Sequence, residues 1–111
     1  MAKYERTIIG QFDEVINHLD NDVKNSGLTM NLVDESNYNI GQIKVAVRVY
    51  DKYFMRNESR ASLSLTVVGN GNEIFISAIG AGGGKGIIFN WSLGAENEMV
   101  DIVKVSVDRM K

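Results

Sequence analysis

The sequence contains no cysteine and no proline, and its only histidine is His18. Without cysteine the chain can form no disulfide, no thiolate nucleophile and no thiolate metal ligand. One histidine and a set of carboxylates are not the ligands from which structural zinc sites are built. We therefore expect a protein that holds no metal and no cofactor.

The sequence also has no large excess of charge of one sign and no long apolar run. Twelve Lys and Arg against 14 Asp and Glu give a formal net charge of −2. Without a basic patch, nucleic acid is not an expected partner. No apolar run approaches the ~20 residues that span a bilayer, and the first residues carry charges where a signal peptide needs an apolar core. The 111 residues predict one domain over residues 1–111, cytoplasmic and without a membrane partner.

A helix is predicted over residues 11–25. The apolar residues recur at the spacing of one helical face. They are Phe12, Val15, Ile16, Leu19 and Val23. Asp13 and Glu14 lie in the first turn, where negative charge suits the helix dipole. Gly27 can adopt the left-handed conformation that ends a helix. A strand rich in Tyr, Thr and Ile is predicted before it, at residues 3–9.

Alternation with period two predicts strands along the middle of the chain. These strands cover residues 28–32, 43–50, 62–67, 73–79 and 87–91. Turn residues predict reversals at 34–37, at 57–59 and at the Asn70-Gly71 pair. One side of each strand is apolar and the other polar, which indicates an antiparallel sheet with one covered and one solvated face. The pattern assigns Val45 and Val47 to the core, and Arg48 and Tyr50 to the solvated face.

The last segment, residues 95–110, fits two patterns. Met99, Ile102 and Val107 follow a helical stripe, whereas Val103 and Val105 also alternate as in a strand. The helix is favoured because a half-covered sheet needs a second element on its apolar face. The predicted fold is therefore α+β in the order β-α-β-β-β-β-β-α. It has an antiparallel sheet of five to six strands and two helices packed on one face. The predicted core consists of Phe12, Ile16, Leu19, Val45, Val47, Leu63, Leu65, Val103 and Val107.

The segments 44–50, 62–69 and 76–79, with the glycine-rich loop that follows them, resemble a family of short uncharacterised bacterial proteins known only as a domain of unknown function. The resemblance implies a bacterial source and the same α+β order. It implies no activity, so it carries over no catalytic residue. In topology the order is similar to small helix-grip folds, in which a curved sheet wraps a long C-terminal helix and often encloses a cavity.

The most unusual feature is the loop of residues 80–86, in which five of seven residues are glycine. The backbone N–H groups of Gly82, Gly83 and Gly84, with the charge of Lys85, are candidates for binding a phosphate or carboxylate. The spacing fits neither the Walker motif nor the dinucleotide fingerprint, and the segment that follows is predicted to be a strand. A flexible connection, or close packing of another backbone or subunit, is the alternative.

Three other groups are candidates for a site. Arg48 and Tyr50 on the predicted solvated face could bind an anionic ligand, and Trp91 could line a pocket. Core packing is the commoner role for a tryptophan. His18 could pair with Asp22 one helical turn away and act as a base. No nucleophile lies near His18 in the sequence, so a surface histidine is the favoured interpretation.

No catalytic triad, metal cluster or cofactor motif is present, and the sequence favours a non-enzymatic binding or interaction module that self-associates as a homodimer. Two alternatives stay open. One is a cavity between the sheet and the C-terminal helix for a small apolar ligand, and the other is anion binding at residues 80–86. A ligand-binding module should have a lined internal cavity. An interaction module should have a filled interior and an apolar patch outside.

Overall fold

The computed structural model describes residues 2–55, 58–82 and 89–110, with the side chains of 89–94 outside that description. Its elements are β1 (Ala2–Ile9), α1 (Phe12–Lys24), β2 (Met30–Ile40), β3 (Ile43–Phe54), β4 (Ser59–Asn70), β5 (Glu73–Gly82) and α2 (Phe89–Arg109). The strands form one antiparallel sheet in the order β1-β5-β4-β3-β2. Helix α1 contacts β2, β3, β4 and α2, and α2 contacts β1, β4 and β5. The predicted α+β class, with an antiparallel sheet of five to six strands and two helices on one face, is confirmed, and the sheet has five strands. No helix in the described part of the chain is both long enough and apolar enough to cross a membrane.

Helix α1 begins and ends within one residue of the predicted bounds. Acidic residues occupy its first turn and Lys24 its last, as the helix dipole favours. Val15, Ile16, Leu19 and Val23 are buried, and Phe12 is half-buried against the same core. The apolar stripe therefore faces the sheet.

Strand β2 runs through the segment where a turn was predicted. The polar residues 34–37 pair with β3, and the chain reverses instead at residues 41–42. Gly41 has a φ of +59°, which suits a two-residue hairpin loop. The predicted turn at 34–37 is wrong because β2 is an edge strand with exposed sides. Polar side chains stay solvated there while β3 satisfies the backbone.

The hairpin between β4 and β5 is confirmed with a shift of one residue. Asn70 pairs with Glu73, so the loop consists of Gly71 and Asn72. Gly71 has a φ of +63°. At the other end of β4, Ser59 already belongs to the strand rather than to the predicted turn.

The face of β3 that packs against the helices is the opposite of the predicted one. Ala46 and Tyr50 are fully buried, whereas Val45 and Val47 are half-exposed. Tyr50 pairs with Leu63 and Ala46 with Val67, and directly paired residues share a face of the sheet. The prediction that Val45 and Val47 lie in the core is wrong. The large Tyr50 ring fills the space below α1, where its hydroxyl finds an acceptor.

Apart from Phe12, which is half-buried, the rest of the predicted core is buried as expected. Ile16, Leu19, Leu63, Leu65, Val103 and Val107 are all at most 5% exposed.

The helix over residues 95–110 is confirmed, and α2 begins earlier than predicted. Phe89, Asn90 and Trp91 are its first residues, so the predicted strand is wrong at these positions; residues 87 and 88 lie outside the described residues. The valines of α2 are β-branched and disfavour helix, yet Val100, Val103 and Val107 are buried against the sheet. Tertiary burial therefore outweighs intrinsic propensity here.

Candidate interaction face

The sheet has one face that neither helix covers, and we call it the open face. Cross-strand pairing arranges its side chains in rows that each take one residue from β2, β3, β4, β5 and β1. The first row holds Ile40, Ile43, Asn70, Glu73 and Ile9, and the second Tyr38, Val45, Val68, Phe75 and Thr7. The third row holds Ser36, Val47, Thr66, Ser77 and Glu5, and the fourth Asp34, Val49, Ser64, Ile79 and Lys3.

The apolar side chains of the open face are accessible to solvent. Ile9 is 73% exposed, Tyr38 60% and Ile40 58%, while Phe75 and Ile79 are each close to two-fifths exposed. The second row contains no charged residue and crosses the whole sheet. Four of the five side chains in this row are apolar.

Three charged residues of the open face lie on its edge strands, whereas Glu73 lies on β5 in the first row, and Asp51 and Arg60 lie on β3 and β4 beyond the fourth row. Lys3 and Glu5 are on β1 at one edge, where Lys3 Nζ lies 3.9 Å from Glu5 Oε1. Ser77 Oγ donates a hydrogen bond of 3.0 Å to Glu5 Oε2. Asp34 is on β2 at the opposite edge and accepts a hydrogen bond from the Glu35 N–H at 2.8 Å. The fourth row thus has one cation at one edge and one anion at the other.

Arg48 and Tyr50 do not lie on the solvated face where the alternation placed them. Arg48 is on the side of the helices, with Nε 3.2 Å from Glu35 Oε1 and Nη1 donating to Asn37 Oδ1 at 3.0 Å. Its guanidinium is therefore engaged along β2.

Tyr50 is fully buried. Its hydroxyl donates to Asp20 Oδ1 at 2.5 Å, and Lys24 Nζ lies 3.0 Å from the other oxygen of that carboxylate. Burial, and then the hydrogen bond to Asp20, raise the pKa of Tyr50 far above its ordinary value. These contacts hold β3 to α1 and leave no free hydroxyl for a ligand.

Of the predicted loop site, Gly82 lies among the described residues. It is the last residue of β5, and its N–H donates to Glu96 Oε1 of α2 at 2.7 Å. Gly83, Gly84 and Lys85 lie outside the described residues, as does the side chain of Trp91. Anion binding at residues 80–86 therefore stays a prediction.

His18 takes part in a polar cluster between the two helices. Its Nε2 lies 3.2 Å from Asp22 Oδ2 and 3.2 Å from the Ser106 carbonyl oxygen. Ser106 Oγ donates to the same carboxylate oxygen at 2.7 Å, and Arg109 Nη1 lies 3.2 Å from it. The pairing of His18 with Asp22 follows from the sequence. Ser106 and Arg109 do not, because the register of α2 against α1 is a tertiary property.

This cluster does not have the geometry of a nucleophile activated by a base, since Ser106 Oγ is bonded to Asp22 rather than to His18. An open groove of about 610 Å³ lies beside it, lined in part by Lys52, Asp101 and Arg109. The cluster joins the two helices and is separate from the open face.

One protein-family profile matches residues 1–111. The chain belongs to the DUF6054 family. DUF6054 is described as a family of unknown function, which confirms the resemblance to a domain of unknown function and assigns no role to any residue. No curated protein and no solved structure matches this DUF6054 chain. Its function must therefore be argued from its own surface and core.

Proposed function

We propose that this protein is a non-enzymatic interaction module that forms a homodimer through the open face of its sheet. The observation that carries the proposal is the second row, in which four apolar side chains cross the sheet with no charge among them. Water contact with such a row is unfavourable, and a partner that covers it releases that free energy.

A second copy of the chain is the occupant that suits the face. Two copies have the same twist, so their sheets can pack face to face at about 30° with interdigitating side chains. Five strands about 4.8 Å apart and four rows about 6.8 Å apart give roughly 650 Å² per copy. That area is near the lower end of specific interfaces, which bury about 600 to 1,000 Å² on each partner. A dimer of moderate affinity is expected.

The packing of the core supports an interaction module over a ligand cavity. On α2, Met99, Val103 and Val107 are fully buried, and so are Leu63 and Leu65 on the sheet below. Side chains therefore occupy the space between the sheet and the described part of α2. The groove next to Asp22 is open to solvent rather than enclosed by sheet and helix.

The location and source belong to the same proposal. We place the protein in the cytoplasm of a bacterium, supported by the absence of cysteine and by the family resemblance. Its long C-terminal helix on an antiparallel sheet supports the likeness to helix-grip folds.

The test is sedimentation equilibrium over a wide range of protein concentration. We expect the parent chain to form a dimer and Phe75→Asp to be monomeric, because an unpaired carboxylate would be buried at the centre of the interface. Tyr38→Lys on the edge strand β2 provides a second disruption with little risk to folding. Val105→Asp is the matched control, since Val105 is 55% exposed on α2, and it should remain dimeric. A parent that stays monomeric throughout the range would refute the proposal.

A further inference from the structure

We infer that the two copies pack with β4 over β4 about a two-fold axis parallel to the strands, so that Lys3 of each copy faces Asp34 of the other. This inference rests on the proposed dimer and specifies its geometry. It also makes Lys3 and Asp34 the residues that determine which arrangement forms.

The strand order defines which strands meet in such a dimer. β4 is the central strand, β5 and β3 flank it, and β1 and β2 are the two edges. A two-fold axis along β4 leaves β4 opposite itself and places β5 opposite β3 and β1 opposite β2. Because the axis is parallel to the strands, each row of side chains stays level with the same row of the second copy.

This arrangement brings apolar residues together in three rows. In the second row, Phe75 faces Val45 of the second copy, and Val68 faces Val68. In the fourth row, Ile79 faces Val49. In the first row, at the end of the strands, Ile9 faces Ile40, whereas Glu73 faces Ile43. Each facing pair belongs to one cross-strand row.

The same operation pairs the charges at the two edges. Lys3 on β1 and Asp34 on β2 are both in the fourth row, so each faces the other across the interface, twice per dimer. Among the described residues, Lys3 Nζ lies 3.9 Å from Glu5 Oε1, and the Lys3 side chain is 62% exposed. An exposed ion pair of this kind contributes little, which leaves the Lys3 ammonium available for a carboxylate from the second copy.

The other face-to-face arrangement has its axis across the strands. It places every strand opposite itself and reverses the order of the rows. With the axis along the second row, Ile9 faces Glu5 and Ile40 faces Ser36. The fourth row then has no row opposite it, so Ile79 and Val49 stay uncovered, and Lys3 and Asp34 make no ion pair with the second copy. The axis parallel to the strands is therefore preferred.

The twist of the sheets is compatible with the Lys3–Asp34 pair. The edge strands lie about 10 Å from β4, so a packing angle of about 30° displaces them by roughly 5 Å along the strands. A lysine side chain spans that distance, and the long stem can lie along apolar surface while the ammonium reaches the carboxylate.

The experiment exchanges the charges. Lys3→Glu and Asp34→Lys, each alone, place like charges opposite each other at two symmetric positions, and we expect the dimer Kd to rise about tenfold. An equimolar mixture of the two variants should form a heterodimer with near-parental Kd, because both contacts then pair opposite charges. The double variant in one chain should also recover. Lys104→Glu and Asp101→Lys on α2 change the net charge identically and should leave the Kd unchanged. Thermal melts verify that each variant is folded.

The outcomes separate this inference from the proposed function. If Phe75→Asp abolishes a parent dimer while the two charge reversals have no effect, the open face is the interface and the two-fold arrangement is wrong. If the reversals weaken the dimer and neither the mixture nor the double variant recovers, the Lys3–Asp34 pairing is wrong. If the parent is monomeric, both proposals fail. Recovery in the mixture, with unaffected controls, supports the arrangement.

Discussion

Gly80 of β5 lies directly against the Glu96 carbonyl of α2: a Cβ on Gly80 would stand 2.8 Å from that oxygen and 3.1 Å from a Val100 methyl group. The missing side chain lets the backbone of the helix approach the sheet. This close approach sets how deeply α2 sits over β5.

Replacement of Gly80 by Ala should therefore destabilise the fold. The contact is with backbone, which cannot move aside cheaply, and we expect a loss of about 1–3 kcal/mol in the free energy of unfolding. Urea denaturation measures it. Gly69→Ala is the matched comparison, since its Cβ would meet the Phe12 side chain at 2.8 Å. A side chain can rotate, so its loss should be smaller. Equal losses would show that the helix adjusts as easily as Phe12 does.

Leu65 lies at the centre of the core on β4 and is fully buried. Its truncation to Ala should lower the free energy of unfolding by about 2–5 kcal/mol, through lost burial and the cavity left behind. Val105→Ala on the exposed side of α2 should change it by less than about 0.5 kcal/mol. A loss at Leu65 no greater than at Val105 would mean that β4 turns its other face to the helices.

Tyr50 should make stability fall at high pH. Its pKa is raised in the folded state, so the unfolded chain loses its phenolic proton first. The stability is therefore complete below pH of about 10, the unfolded pKa, and declines above it by up to about 1.4 kcal/mol per pH unit. Tyr50→Phe should be less stable at neutral pH, because Asp20 loses a hydrogen bond, and should show a shallower decline above pH of about 10. Chemical denaturation at several pH values gives the slopes, and parallel curves for parent and Tyr50→Phe would contradict the assignment.

Asp22 should contribute more to stability than a surface carboxylate does. Asp22→Ala removes the acceptor shared by His18, Ser106 and Arg109, and Ser106 is only 1% exposed. Because the buried Ser106 hydroxyl would lose its partner, we expect a loss of about 1–3 kcal/mol in the free energy of unfolding. Asp108→Ala, which removes the exposed pair with Arg6, should lose less than about 1 kcal/mol. Thermal unfolding of the two variants measures both losses. Losses of the same size would show that the helix–helix cluster is not a source of stability.

The residue pattern within a single segment was enough to predict α1 and the hairpin between β4 and β5. The stripe of α1 needs only its own spacing, and the Asn-Gly pair between β4 and β5 needs only a residue that tolerates positive φ. The antiparallel sheet and the α+β class also follow from the sequence, because period-two alternation and a one-sided helix both require a common core.

The open face itself could not be assigned from sequence. Alternation in β3 shows that its two faces differ: the valines lie on one face, and Ala46, Arg48 and Tyr50 lie on the other. Hydrophobicity alone places the valines inside. The structure places Tyr50 inside because the sheet, α1 and Asp20 together enclose the ring and bind its hydroxyl.

The sequence by itself determined that this chain forms one helix-covered antiparallel sheet without cysteine chemistry. Only the tertiary structure decided which face of β3 the helices cover, how far β2 extends beyond the predicted turn, and that His18 and Ser106 meet. The physical reason is that periodicity shows only that the two faces of a segment differ in polarity. Which face is buried depends on the shapes and hydrogen-bonding groups of segments far away in the chain.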